Sequence, residues 1–226
     1  MTGVSETDLQ HRRDIVAACR QMTALGINQG TSGNISVRVE GGLFVTPSGR
    51  AYDEMEPEDI VFMRWDGSWD ATPGNVPSSE WRFHLDILRA KPEVNAVVHA
   101  HPTYCTILAI LNRPIPAIHY MIAVGGGNDI PCAPYAQYGT SELSDAAVAA
   151  LTERRACLLA HHGLIATGPH LRKALWLAVE VETLARQYHG CLQIGEPPLL
   201  PDAEIDSILE RWGQYGLRDR PAIEAA

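Results

Sequence analysis

The sequence predicts one α/β domain spanning residues 1–226, built on a largely antiparallel sheet with helices packed on its faces. Three observations lead there. Strand-like and helix-like stretches interleave along the whole chain. The early strands are joined by hairpin signals. No internal repeat, low-complexity tract or long linker divides the 226 residues.

Taken in order, Ser5 to Leu25 reads as a helix. Leu9, Ile15, Val16, Cys19, Met22 and Leu25 fall on one stripe, and Gly26 is a natural C-terminal stop. Ile35 to Val39 alternates apolar and polar residues as a half-buried strand does. Gly41-Gly42 suits a hairpin turn into Leu43-Phe44-Val45, and Thr46-Pro47-Ser48-Gly49 closes that strand with a loop. Ile60 to Met63 is a short strand, Trp65 to Ser68 a turn, and Asn75 to Ser79 a loop. Glu80 to Ala90 has Trp81, Leu85 and Leu88 at helical spacing. Val94 to His99 is a strand, Tyr104 to Leu111 a helix, and Ile130 to Ala133 a short extended piece. A helix runs from Ser141 to about Leu151, an apolar strand from Cys157 to Ala160, and helices from Leu171 to Tyr188 and Asp202 to Tyr215.

Composition narrows the function. Eighteen Lys+Arg against 27 Asp+Glu leave a formal net charge of -9. That argues against nucleic acid or an anionic membrane as partner, both of which need a basic surface. A phosphorylated small molecule stays open, because backbone N–H groups bind phosphate without lysine. The five cysteines are scattered and form no CxxC, which reads as reduced thiols in a cytoplasmic protein. The N-terminus is polar, without an apolar signal core, and no apolar run approaches the ~20 residues that span a bilayer.

The stretch AVVHAHP, Ala96 to Pro102, carries the chemistry. Alternate residues of a strand share a face, so the imidazoles of His99 and His101 can meet one ion. A zinc site needs about four N, O or S ligands. The other histidine-ended strand, CLLAHHG, offers His162 or His161 as a third. No HExxH is present, which argues against a zincin-type protease. Glu80, in PSSE, reads most simply as a helix-start carboxylate. Its functional alternative is a fourth ligand or proton-transfer base. Ser78 and Ser79 are either helix caps or anion donors. The same choice applies to Gly33 and Asn34 in GTSGN and to Ser48 and Gly49 in TPSG; together these clusters look like a phosphate cradle of neutral donors. None is a Walker motif, and Gly125-Gly126-Gly127 lacks the GxGxxG pattern.

In sequence order, GTSGN, TPSG, PSSEW, AVVHAHP, IPAIHYMIA, IPCAPYAQYGT, LLAHHGLIA and QYGLR make the chain resemble the class II aldolase family over nearly its whole length. The resemblance implies a three-layer α/β/α fold around a mostly antiparallel sheet. It implies Zn2+, with Mn2+ or Co2+ as substitutes, held by Glu80, His99, His101 and His162. Glu80 would then double as acid/base. Gly33, Asn34, Ser48, Gly49, Ser78 and Ser79 would match a substrate phosphate site. Tyr120 and Tyr215 would match two catalytic tyrosines at the aldehyde end, the first reaching in from a neighbouring subunit of a homotetramer. The implied reaction is reversible cleavage of a ketose 1-phosphate, similar to L-fuculose 1-phosphate, to dihydroxyacetone phosphate and a small aldehyde. Tyr138 departs from the pattern, standing in the aldehyde pocket where a fuculose-phosphate-cleaving member carries phenylalanine. That keeps 5-deoxyribulose 1-phosphate and 5-methylthioribulose 1-phosphate open as alternative substrates. More distant readings are a pentulose-phosphate 4-epimerase, a methylthioribulose-phosphate dehydratase and a non-catalytic zinc scaffold.

Overall fold

A computed structural model of the chain describes residues 5–70 and 76–211. Helix α1 (Glu6–Ala24) starts where the Ser5 hydroxyl accepts the Asp8 N–H at 3.0 Å. It buries Ile15, Val16, Cys19 and Met22, and the chain leaves it through Gly26 at φ +69°. Strands β1 (Asn34–Val39) and β2 (Gly42–Val45) form the expected hairpin, and β3 (Val61–Arg64) adds to β2. Helix α2 (Trp81–Ala90) has Glu80 at its N-cap. Strand β4 (Ala96–Ala100), helix α3 (Thr103–Ile110), the two-residue strand β5 (Cys132–Ala133) and helix α4 (Ser141–Ala150) follow. Strands β6 (Ala156–Leu159) and β7 (Gly163–Gly168) precede the long helix α5 (Leu171–Ile194) and helix α6 (Asp202–Arg211).

The seven strands form one sheet in the order β3-β2-β1-β4-β7-β6-β5. Every neighbouring pair is antiparallel except β5 with β6. Helices cover both faces, giving three layers. One face packs Ile35, Val98 and Leu164 against α1, α3 and α5 through Ile15, Met22, Leu108 and Val181. The other packs Leu43, Met63, Leu159 and Ile165 against α2 and α4 through Leu85, Leu88 and Leu143. Along β4, Val97 faces the α2 layer and Val98 the α1 layer, so odd-numbered residues point towards α2.

Two features differ from the sequence reading. Strand β7 is an extra strand at the centre of the sheet, and Ala160-His161-His162 is the loop of the β6–β7 hairpin rather than a strand tip. All six residues of β7 are buried, so the apolar/polar alternation that marks a half-exposed strand is missing. Helix α5 also continues through Ile194, past the expected end at Tyr188. Tyr215 and the end of the last helix lie outside the described residues.

Arg38 anchors the far end of α2. Its guanidinium donates to the carbonyls of Leu88, Lys91 (3.2 Å) and Val94 (2.9 and 3.0 Å), satisfying helix-end acceptors with a cation. Arg38→Met should lower unfolding stability by roughly 2–3 kcal/mol in a denaturant titration, the cost of stranding those carbonyls. An unchanged midpoint would mean that water replaces the guanidinium without loss.

Candidate active site

Three separate segments deliver the metal-ligand candidates to one point. His99 sits on β4 opposite Asn34 of β1, facing the α2 layer, and His101 follows just beyond the strand with the same parity. Glu80 enters from the α2 N-cap, and His162 from the β6–β7 loop. The three imidazoles stand mutually edge-on, with ring centroids 4.8, 4.8 and 4.9 Å apart. The Nε2 atoms of His99 and His101 are 2.9 Å apart. Glu80 Oε2 lies 3.2 Å from His99 Nε2, and Oε1 lies 3.1 Å from His162 Nε2. A tetrahedral ion with bonds of ~2.1 Å holds its donors ~3.4 Å apart, close to these separations.

The donors are also chemically suited to a divalent cation. His99 Nδ1–H donates to the Leu164 carbonyl at 3.0 Å, which leaves a bare lone pair on Nε2 aimed into the cluster. Burial, with His99 and His162 beside it, pushes His101 down to about 3, so it stays in the neutral, ligating form. Burial opposes ionisation of Glu80, but His99 and His162, when protonated, outweigh it and hold the carboxyl below the usual carboxylate range. Glu80 Oε1 is buried, and no hydrogen bond of adequate geometry reaches it despite its closeness to His162. A lone pair without a partner in so dry a place marks a cation position. Glu80, His99, His101 and His162 together can hold a divalent metal ion.

The hairpin loop decides between the two neighbouring histidines. His162 N–H closes a turn onto the Leu159 carbonyl at 3.0 Å, and His161 takes the left-handed conformation at φ +57°. The turn sends His162 inward, while the exposed His161 lies against Tyr135 with ring centroids 5.9 Å apart. Gly163 is required next. A Cβ there would sit 2.5 Å from the Ala100 carbonyl and 2.8 Å from the His101 ring.

The cluster opens into a cavity of about 480 Å3. Gly33, Asn34, Ser48, Gly49, Ser78 and Ser79 line it together with Glu80, His101 and His162. Among the described residues, no lysine or arginine lines it. The N–H groups of Ser48 and Ser78 are taken by the Val76 and Thr46 carbonyls, and the Ser78 hydroxyl accepts the Glu80 N–H at 3.3 Å. Among the described residues, no acceptor meets the N–H groups of Gly33, Gly49 and Ser79, so these donors remain for an anion. Gly33 lets the loop approach this closely; a Cβ there would fall 2.7 Å from the His99 carbonyl. Tyr138 lines the mouth and is 64% exposed. Tyr120 does not line the cavity; it opens a 3-10 turn (Tyr120–Gly125) and is 42% exposed.

Asn34 has a second engagement. It is buried, its Nδ2 donates to Glu80 Oε2 at 3.0 Å, and its Oδ1 lies 2.5 Å from Nε2 of His84. His84 is fully buried on α2, and its Nδ1 lies 2.8 Å from the hydroxyl of Ser36 on β1. Sequence reasoning passed over His84 and Ser36. The available signal was a lone histidine four residues after Glu80, one helical turn along the same face.

Residues 13–189 match the family described as Class II Aldolase and Adducin N-terminal domain. A Rhodospirillum rubrum protein named 5-methylthioribulose-1-phosphate/5-deoxyribulose-1-phosphate aldolase is 55% identical over 205 residues, covering 91% of this chain and 92% of its own. The L-fuculose phosphate aldolase of Escherichia coli K12 is 54% identical over 207 residues, covering 91% and 95%. A solved L-fuculose 1-phosphate aldolase superposes with a TM-score of 0.88 at 37% identity, over 94% of this chain and 100% of that one. Fold, histidine–carboxylate cluster and relatives agree: the chain belongs to the class II aldolase family and is an aldolase, a carbon–carbon lyase.

Proposed function

We propose that the protein reversibly cleaves a ketose 1-phosphate to dihydroxyacetone phosphate and a small aldehyde. The observation that carries this reading is the placement of Glu80, His99, His101 and His162 at the floor of a cavity walled by neutral hydrogen-bond donors. Zn2+ suits three imidazoles and a carboxylate; Mn2+ and Co2+ are expected substitutes. When bound, the ion supplies Lewis acidity that offsets the negative charge left on the ketone fragment by cleavage.

The chain's own residues do the rest. Gly33, Ser48, Gly49, Ser78 and Ser79 hold the phosphate, turning remote binding into positioning of the reacting carbons. In the synthetic direction Glu80, as the carboxylate, removes the proton from the carbon of dihydroxyacetone phosphate; in cleavage the same group, as the carboxylic acid, returns that proton to the carbon and is left as the anion. Tyr120 takes the proton from the hydroxyl whose carbon becomes the aldehyde, and Tyr215 lies at the same end. Tyr120 acts across a subunit boundary of a homotetramer, in line with its exposure and its absence from the cavity wall of its own subunit. A separate groove of about 1130 Å3, with Leu25, Leu175, Trp176 and Val179 among its walls, provides apolar surface for subunit contact. Light scattering should give about four times the 24.7 kDa chain mass; a stable monomer with full activity would remove Tyr120 from the mechanism.

The far end of the substrate is the variable. Relatives at 55% and 54% identity carry names for different ketose 1-phosphates, and the polar Tyr138 stands at the cavity mouth. A panel differing only at that end (methyl, methylthiomethyl and the fuculose type) should be cleaved with unequal kcat/KM, by at least about 10-fold between best and worst. Dihydroxyacetone phosphate should form stoichiometrically in a coupled dehydrogenase assay. Epimerised or dehydrated product without it would overturn the reading.

A further inference from the structure

Four groups behind the metal-ligand cluster are connected in a line: the Ser36 hydroxyl, the His84 ring, the Asn34 carboxamide and Glu80 Oε2, at successive separations of 2.8, 2.5 and 3.0 Å. All four residues are buried. The chemistry allows only one direction. An ionised carboxylate accepts and cannot donate, so Asn34 must turn its NH2 to Glu80 and its Oδ1 to His84. A carbonyl oxygen also only accepts, so His84 must carry its proton on Nε2. In the neutral ring Nδ1 is then an acceptor, and Ser36 must donate to it.

We infer that Ser36, His84 and Asn34 form a one-way hydrogen-bond chain that grips Glu80 by Oε2 and leaves Oε1 as the oxygen that moves the proton. His84 and Asn34 are thereby positioning residues for Glu80. The inference rests on Glu80 being the proton-transfer group proposed above. It revises the expectation for Asn34, whose side chain is committed to Glu80 rather than to phosphate. The two carboxylate oxygens are already unequal: Oε2 accepts from Asn34, whereas buried Oε1 has no hydrogen bond. A donor fixed on Oε2 lowers the basicity of that oxygen and sets the rotation of the carboxylate plane, so the proton goes to Oε1. His84 has a further reason to be neutral and oriented. It stacks on Phe83 with ring centroids 4.7 Å apart, where an unsatisfied ring nitrogen would be costly. Loss of the His84 donor frees the Asn34 amide to turn, and an amide oxygen facing the carboxylate would repel it.

The wild-type enzyme loaded with Zn2+ and labelled with 15N-histidine gives the first test. His84 should show a protonated Nε2 and a bare Nδ1; the opposite tautomer overturns the chain outright, whatever the enzyme's substrate proves to be. His84→Phe, which keeps the stacking but not the donor, should retain stoichiometric metal. Its kcat and its rate of solvent proton exchange into dihydroxyacetone phosphate should fall together by about 10–100-fold, with KM changed less than about twofold. His84→Gln, which can present an N–H near the same place, should recover most of that loss. Exchange in His84→Phe within about twofold of wild type would defeat the proposal, as would a folded His84→Gln no faster than His84→Phe. Should neither variant fold, Ser36→Ala decides: it removes only the donor to Nδ1, Asn34 Oδ1 should still hold the His84 proton on Nε2, and a shift of that proton to Nδ1 would overturn the chain. A wild-type enzyme that cleaves no ketose 1-phosphate counts against the functional reading, while the tautomer result stands apart from it.

Discussion

Glu80→Gln is expected to keep its metal ion and lose aldol cleavage by about 10²–10⁴-fold, the usual contribution of a positioned proton-transfer group. That corresponds to ~3–5 kcal/mol of barrier. The amide has the shape of the carboxylate and can still accept from Asn34 Nδ2, so the local packing survives. It cannot take up or deliver a proton. The three imidazoles remain as ligands, and elemental analysis should show metal content near that of wild type. Solvent hydrogen exchange at the carbon of dihydroxyacetone phosphate isolates the proton step from cleavage, and it should fall as far as turnover does. Exchange at the wild-type rate would remove Glu80 from the role of base, whatever happened to overall turnover.

The adjacent histidines should behave as opposites. His162→Ala removes one of three converging imidazoles and strands Glu80 Oε1 in a buried site, so bound metal and activity should both be lost on dialysis. His161→Gly replaces a side chain that lines the same cavity but is not one of the converging ligands, at a φ of +57° that glycine accepts freely. Its metal content should match wild type, and its stability should change by no more than about 1 kcal/mol. Chelation of the wild type should reproduce the His162→Ala defect reversibly. With metal at ~1,000 times Kd, removal withdraws ~4 kcal/mol of linked stability, readable as a lower melting temperature. Equal metal loss in the two variants would refute the turn geometry that separates them.

Much of the architecture was legible in local pattern. The stripe through Ile15, Val16, Cys19 and Met22 and the Gly26 stop match α1, though Leu25 lies beyond the helix and is exposed; the strand over Ile35 to Val39 with Gly41-Gly42 matches the β1–β2 hairpin, though Ile35, Ser36 and Val37 are all buried where the alternation predicts a half-buried strand. The HxH spacing placed His99 and His101 correctly on one face, because side-chain parity in extended chain is a local property. Strand β7 was not legible. It is buried on both faces, polar Thr167 included, so its six residues have no period to read. Missing β7 also hid the hairpin that separates His161 from His162. His84 stayed hidden for a related reason: on an apolar helix face, a histidine is indistinguishable from core filling until its hydrogen-bond partners are known.

The sequence by itself determined the kinds of element, the neutral donor clusters, the HxH pair and the resemblance that joined them, since turn chemistry and periodicity act over a few residues. Only the tertiary structure decided which histidine completes the cluster, where Asn34 spends its amide and which oxygen of Glu80 is left without a partner. Those outcomes depend on strand register across long stretches of chain, with Asn34 paired to His99 and Ala100 paired to Leu164. A shift of one residue in either pairing would turn the imidazoles to the opposite face of the sheet.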